Sequence, residues 1–356
     1  MEESPTPRRE WWLGDGYCLM KEYLTYDDVQ ILPKYSEVTH RTDCSISTHV
    51  TKNWELRIPI VSSPMDTVTE FSMAQEMNEL GGLGIIHRFM GIHEQADHIG
   101  RVTLGVSSAA IGITGDFVER AQELVQSGCK ILCMDVAHGH HKLVKEAIRR
   151  IKNEVNGKVD LLVGNISTRE SARDLCEWGV DGLRIGIGAG SLCSTRIQTG
   201  VGVPMVSSIR DCVAIADDYN VPCMADGGIR NTGDVCKGLG AGADTVMLGS
   251  LLSGTKETPG VITKQGQWPN ETLQKKYRGS ASVDSKLDRG ERKNVEGYST
   301  TIPYKGKVKR IISDVIDGLK SSMSYVGANN LEEFHSNCEL IKVTNAGVVE
   351  AKPHLL

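Results

Sequence analysis

The chain is poor in aromatic residues, only 5% of its 356 positions, and it has no long apolar run. A membrane-spanning helix needs about 18 or more consecutive apolar residues, so no membrane is expected as a partner. Positive charge is not in excess: 40 Lys and Arg stand against 45 Asp and Glu, a net charge of −5. That balance disfavours a broad nucleic-acid or anionic-lipid surface and leaves room only for a local basic pocket. The ten cysteines contain no CxxC pair and no Cys/His cluster at zinc-finger spacing. Several sit inside apolar runs such as ILCMD and VPCMAD, where a thiol packs as a small hydrophobe. A reducing compartment, the cytoplasm, fits that usage. The first residues, MEESPTPRREWW, lack the apolar stretch of a secretory signal.

Glycine is what the chain has in abundance, 38 residues, many just after short apolar runs. Glycine there lets a backbone approach a ligand closely. Eight such runs read as strands: 58–62, 83–87, 102–106, 131–135, 161–164, 182–186, 222–226 and 245–249. Amphipathic stretches with helical spacing lie between them, at 116–127, 141–155 and 168–178, with Thr168 or Thr114 placed to cap. Strand alternating with helix implies right-handed βαβ units and a parallel sheet. Eight units without a reversal favour an α/β fold closed as a (β/α)₈ barrel over an open doubly wound sheet. Residues 1–57 are polar and irregular, and 254–307 form a long excursion after the eighth strand. Loops of that length are functional or mobile in compact barrels. The expected organisation is an extension at 1–21, one catalytic barrel at 22–345 and a tail at 346–356.

In such a barrel the site lies at the C-terminal strand ends. Those ends read MDT (65–67), HR (87–88), DVAHGHH (135–141), GNIST (164–168), GIGAGSLCSTR (186–196), DGGIR (226–230) and LGS (248–250). Turn chemistry accounts for any one of them and less well for all seven. GIGAGSLCSTR has no Gly-Lys-Ser/Thr and lacks the third glycine of GxGxxG, so neither nucleotide fingerprint applies. Its glycines free backbone groups to face an anion or a bare cation, and Cys193 follows them as a possible nucleophile or a buried thiol. The loops after strands seven and eight suit a phosphate. Asp226 suits ribose hydroxyls, which points to a nucleotide monophosphate or a sugar phosphate. His138, His140 and His141 lack further metal ligands nearby and read as structural or cofactor-adjacent.

These motifs, together with SSPMDTVTE (62–70) and YRGSAS (277–282), resemble in order the IMP dehydrogenase/GMP reductase family over residues 22–345. The resemblance implies a TIM barrel, a homotetramer and a purine nucleotide monophosphate attacked at C2 by cysteine, through a covalent thioimidate. It makes Cys193 the nucleophile and Thr195 with Glu296 its proton relay. Ser191, Gly228, Gly249 and Ser250 would cradle phosphate and Asp226 the ribose, with Ser63, Met65 and Gly227 beside them. Gly279, Ser280, Ala281, Lys293 and Gly297 would frame the base. Asp135, Val136, Ala137, Ile187 and Gly188 would line the nicotinamide side with Arg88. Arg41 would reach the adenosine end, which Ser321 and Ser324 of a neighbouring subunit would complete. Carbonyls of Gly188, Gly190 and Cys193, in the loop that Arg196 ends, would hold a monovalent cation, K⁺. Ala189 stands where the family has proline.

Within the family, only residues 88–101 separate the second and third expected strands, so no CBS regulatory domain is inserted there. The resemblance requires an Arg-Tyr pair on a mobile loop for the dehydrogenase's hydrolysis. Residues 283–297 (VDSKLDRGERKNVEG) contain none. GERKNVEG, GSAS, SSMSYVG and TGVG look like the reductase, whereas SSPMDTVTE and EAKPHLL look like the dehydrogenase. The expectation is a GMP reductase using NADPH. The alternatives are an IMP dehydrogenase using NAD and an inactive nucleotide-binding barrel.

Overall fold

Seven of the eight apolar runs are barrel strands in the computed structural model, which describes residues 21–155, 157–267, 269–288, 290 and 295–352. The strands are β1 (Ile60–Ser62), β2 (Leu83–Ile86), β3 (Ser108–Ile111), β4 (Ile131–Asp135), β5 (Asp160–Ile166), β6 (Gly182–Ile185), β7 (Cys223–Asp226) and β8 (Thr245–Leu248). All pair in parallel, and β8 closes onto β1 with Val246 opposite Ile60 and Leu248 opposite Ser62. The chain is therefore a closed eight-stranded (β/α)₈ barrel.

The third strand was expected at 102–106, and the structure corrects it to Ser108–Ile111. Gly105 takes φ +68 and Leu104 is half exposed, so the more apolar run is a connecting loop. The true strand is SAAI, whose small residues carry little hydrophobic signal. Its Ser108 hydroxyl donates to the Gly84 carbonyl at 2.9 Å.

Helices α1 (Phe71–Leu80), α2 (Ile92–Arg101), α3 (Phe117–Gln126), α4 (Lys142–Val155) and α5 (Arg169–Glu177) follow the first five strands. Then come the short α6 (Thr195–Thr199), α7 (Met205–Ala216) and α8 (Thr232–Gly240). Thr168 caps α5 in a reciprocal capping box with Ser171. The residue capping α3 is Asp116, not Thr114, and its side chain makes no cap bond. Alternate strand residues face two cores. Val61, Ile85, Cys133, Leu162, Met224 and Met247 fill the barrel interior. Ile60, Ile86, Leu132, Val163, Leu183 and Val246 pack outward against the helices.

Residues 21–57 are less irregular than their polarity suggests. An antiparallel hairpin, Thr48–Thr51 with Trp54–Leu56, plugs the N-terminal mouth, burying Val50 and Leu56 in the interior core. Thr51 Oγ1 donates to Asp160 Oδ2 at 2.6 Å and fastens the plug. Strand Val29–Ile31 pairs antiparallel with Leu340–Lys342, tying the two ends of the described chain together. The excursion after β8 contains a three-stranded antiparallel sheet, β9 (Thr263–Gln265), β10 (Thr272–Arg278) and β11 (Ser299–Pro303), and helix α9 (Val283–Asp288). Helix α10 (Val308–Tyr325) returns the chain to the barrel wall. Among the described residues, no helix is long and apolar enough to cross a membrane.

Candidate active site

The glycine-rich loop leaves β6 and crosses the barrel mouth. Gly186 begins it at φ +140, where a Cβ would lie 2.0 Å from the Asp226 carbonyl oxygen, so only glycine fits. Cys193 follows, half-buried, and Thr195 opens α6. The return segment after α9 is stitched to this loop by backbone bonds. Ser194 N–H donates to the Glu296 carbonyl at 2.9 Å, and Tyr298 N–H to the Leu192 carbonyl at 3.0 Å. Residues 103 positions apart thereby meet: the Cys193 thiol donates to Thr195 Oγ1 at 3.1 Å, and Thr195 Oγ1 donates to Glu296 Oε2 at 2.6 Å. This is a continuous proton path from a sulfur to a carboxylate. Other cysteines are unlike it. Burial pushes the Cys129 and Cys133 thiols up to about 12, where they are inert packing groups.

The thiol opens into a cavity of about 570 Å³ at the C-terminal strand ends. Its walls hold most of the expected residues: Ser63, Met65, Ser191, Asp226, Gly227, Gly228, Gly249, Ser250, Gly279, Ser280, Ala281 and Gly297. On the second side they hold Arg88, Asp135, Val136, Ala137, Gly188 and Gly190. Ile187 is absent from the walls, as are His138, His140 and His141. His140 instead meets Asp174 at 2.8 Å. Arg41, Ser321 and Ser324 form a patch of their own outside the cavity, with Arg41 Nη1 donating to Ser321 Oγ at 2.7 Å. Lys293 lies outside the described residues.

Arg184, Asn165 and Tyr277 are among the cavity residues that escaped the sequence reading. Arg184, on β6, is buried between two carboxylates, with Nη1 donating to Asp135 Oδ1 at 2.6 Å and Nε to Asp226 Oδ2 at 2.9 Å. Burial works against its charge, but Asp226 and Asp135 outweigh burial and hold its pKa above the ordinary arginine value. Asn165 Nδ2 also donates to Asp226 Oδ2, at 2.8 Å. Tyr277 lies 3.0 Å from Ser191 Oγ through its hydroxyl, and burial raises its pKa. A charge inside the apolar run GLRIG was the available signal for Arg184. Asn165 and Tyr277 lay within GNIST and YRGSAS.

The cation loop offers neutral, hard carbonyl oxygens, the donor type a monovalent cation takes. Gly188 adopts φ +75, and a Cβ there would meet Arg196 Cγ at 2.7 Å. Arg196 accepts from Gly200 N–H at 3.1 Å through its carbonyl. Its guanidinium donates to the Val203 carbonyl at 2.7 Å and does not line the cavity. The Gly190 carbonyl accepts from Cys193 N–H at 3.0 Å and keeps a second lone pair, so the loop still offers the oxygens of Gly188, Gly190 and Cys193.

A parallel barrel carrying a thiol, a hydroxyl and a carboxylate in series, beside a glycine-lined pocket for an anion, has the makings of a covalent catalyst for a phosphorylated substrate. The chain belongs to the IMP dehydrogenase / GMP reductase domain family, whose model matches residues 23–354, and so to a family of oxidoreductases of purine metabolism. It is 35% identical to an inosine-5'-monophosphate dehydrogenase of Cryptosporidium parvum, over 93% of this chain and 94% of that one. It is 30% identical to a GMP reductase of Leishmania major, over 94% and 97%. A crystal structure of a GMP reductase variant from Trypanosoma brucei in complex with guanosine 5'-monophosphate superimposes with a TM-score of 0.90. That match has 29% identity and covers 94% of this chain and 98% of that one.

Proposed function

We propose that the chain is an NADPH-dependent GMP reductase: GMP + NADPH + 2 H⁺ → IMP + NH₄⁺ + NADP⁺. The series Cys193–Thr195–Glu296 carries this reading, at 3.1 and 2.6 Å. The Cys193 sulfur adds to C2 of GMP. Glu296 returns a proton through Thr195 to the C2 amine, which leaves as ammonia and leaves a thioimidate on Cys193. NADPH, when bound, supplies the hydride that C2 then takes. The C–S bond breaks, IMP departs and Cys193 recovers its thiolate. Splitting the displacement in two avoids one high barrier, and phosphate binding positions the ring. Ser191, Tyr277, Gly228, Gly249 and Ser250 hold the phosphate in this reading, and Asp226 the ribose. Arg88, Asp135, Val136 and Ala137 take the nicotinamide. The patch of Arg41, Ser321 and Ser324 serves the adenosine end across a tetramer contact. K⁺, when bound, would be held by the carbonyls of Gly188, Gly190 and Cys193.

Sequence supports reduction over hydrolysis. A reductase is served by keeping activated water from its thioimidate, because hydrolysis would give XMP, and residues 283–297 have no Arg-Tyr pair. The 35% identity to a dehydrogenase favours the second reading, oxidation of IMP to XMP with NAD. The test is incubation with each nucleotide and cofactor pair, followed by chromatography of the products. GMP with NADPH should yield IMP and ammonia, and Cys193→Ala should lower that rate by about 10³-fold or more. XMP from IMP and NAD would install the dehydrogenase, and nucleotide binding without turnover would leave a binding barrel.

A further inference from the structure

The loop after β7 is held from outside the cavity by a segment far away in sequence. Arg230 ends DGGIR, and its guanidinium is shared by two carboxylates. Nη1 and Nη2 donate to Asp27 Oδ2 and Oδ1 at 2.9 and 2.6 Å, a bidentate pair. Nε donates to Asp234 Oδ2 at 3.0 Å. Asp234 is itself buried and anchored, accepting from the Arg230 backbone N–H and donating its own N–H to the Asn231 cap, both at 3.0 Å.

Next to Asp27, the ring of Tyr26 is buried directly beneath Gly228. A Cβ on Gly228 would stand 3.3 Å from Tyr26 Cε2. Lys237 Nζ, on α8, donates to the Tyr26 carbonyl at 2.9 Å. The turn carrying both residues is closed on itself, with Thr25 N–H donating to Asp28 Oδ2 at 2.7 Å. Leu24 N–H donates to Ser207 Oγ at 2.8 Å and ties the turn to α7. Nothing in this assembly touches the reacting atoms. Its contacts converge on Gly228–Arg230, a stretch that lines the cavity.

We propose that residues Thr25–Asp28 form a strap that positions the Gly228–Arg230 loop for the substrate's 5'-phosphate, with Asp27 as the positioning residue. This rests on the nucleotide reading of the cavity and not on the direction of its chemistry. Arg230 lines the pocket but spends its guanidinium on Asp27 and Asp234, so this loop offers the phosphate its backbone N–H groups, beside the Ser191 and Tyr277 hydroxyls. Such groups bind only if the loop is held in place. The Asp27–Arg230 pair is about half exposed, 51% and 53%. A pair of that exposure contributes little to global stability, so Asp27→Asn should fold as wild type does.

The experiment is calorimetric binding of GMP, IMP and guanosine to the full chain, with steady-state kinetics alongside. Asp27→Asn should weaken both nucleotides about tenfold and raise KM by the same factor. It should leave guanosine affinity and kcat within twofold, and Asp27→Glu should restore most of the nucleotide affinity. Equal affinity for the nucleotides in Asp27→Asn and wild type would overturn the strap. So would an equal loss for guanosine, which has no phosphate to place. If Asp27→Asn does not fold, Asp27→Ala decides by the same comparison: a nucleotide loss larger than the guanosine loss supports the strap, and equal losses sink it. A wild-type chain that binds neither nucleotide would overturn the nucleotide reading itself and the strap with it.

Discussion

Arg184 joins the two halves of the cavity. Asp226, on the side assigned to ribose, and Asp135, on the side assigned to nicotinamide, both contact its guanidinium, and Arg88 Nε lies 3.9 Å from Asp135 Oδ2. Removing the cation leaves two carboxylates without their shared partner, which is costly in a site this buried. Arg184→Gln is therefore expected to raise KM for the nucleotide about tenfold, with Arg184→Lys in between. Steady-state kinetics checks this, and an unchanged KM in Arg184→Gln would show that the arginine only fills space. The place of the candidate site was legible at this scale, because Cys193, Thr195 and Asp226 stand in glycine-rich strand ends that line one cavity. Arg184 was not, because a charge in the middle of an apolar run gives no sign of its partners until the barrel brings β4, β5, β6 and β7 together. Glu296 emerged only from family likeness, its place being set by backbone bonds to a loop far away in sequence.

At the scale of elements, the parallel strands were legible where apolar side chains dominate, and illegible where they do not. SAAI packs as a barrel strand because small side chains suffice there, while the richer run before it turns on Gly105. The sheet of β9, β10 and β11 was hidden for a different reason. It is antiparallel and mostly solvent-facing, so its residues are polar on both faces. One inward residue is a lysine: Lys275 Nζ is buried and donates to the Thr255 and Thr258 carbonyls at 3.1 and 2.5 Å. The hairpin plug separates stability from catalysis in a testable way. Leu56 is 4% exposed and packs at the mouth opposite the cavity. Leu56→Ala should cost about 3 kcal/mol of unfolding free energy, from lost burial and a residual void. Turnover per folded molecule should stay within twofold. Denaturant unfolding with activity measured in parallel checks both, and a loss of kcat at unchanged stability would mean the two ends of the barrel are coupled.

For the whole molecule, the barrel holds together across the joint between β7 and β8, and that joint contains a group ill-suited to neutral pH. Asp244 precedes β8. Its carboxylate accepts from Cys223 N–H at 2.7 Å, while its own N–H donates to the Cys223 carbonyl at 2.8 Å. Burial pushes its pKa from 3.8 up to about 7, and nearby Asp217 adds repulsion. The folded state therefore binds a proton that the unfolded chain has already lost over that interval. Stability from this group is fully present below the unfolded value near 3.8 and is lost as the pH rises towards about 7. Asp244→Asn keeps an oxygen for the Cys223 N–H and has no charge to bury. It should be more stable than wild type by about 2 kcal/mol at pH 8, an advantage that shrinks as the pH is lowered to 5. Urea unfolding of both proteins across that range measures the difference directly. A constant gap would place the effect in packing, and a gap that widens towards acid would mean the carboxylate is stabilised by the fold after all.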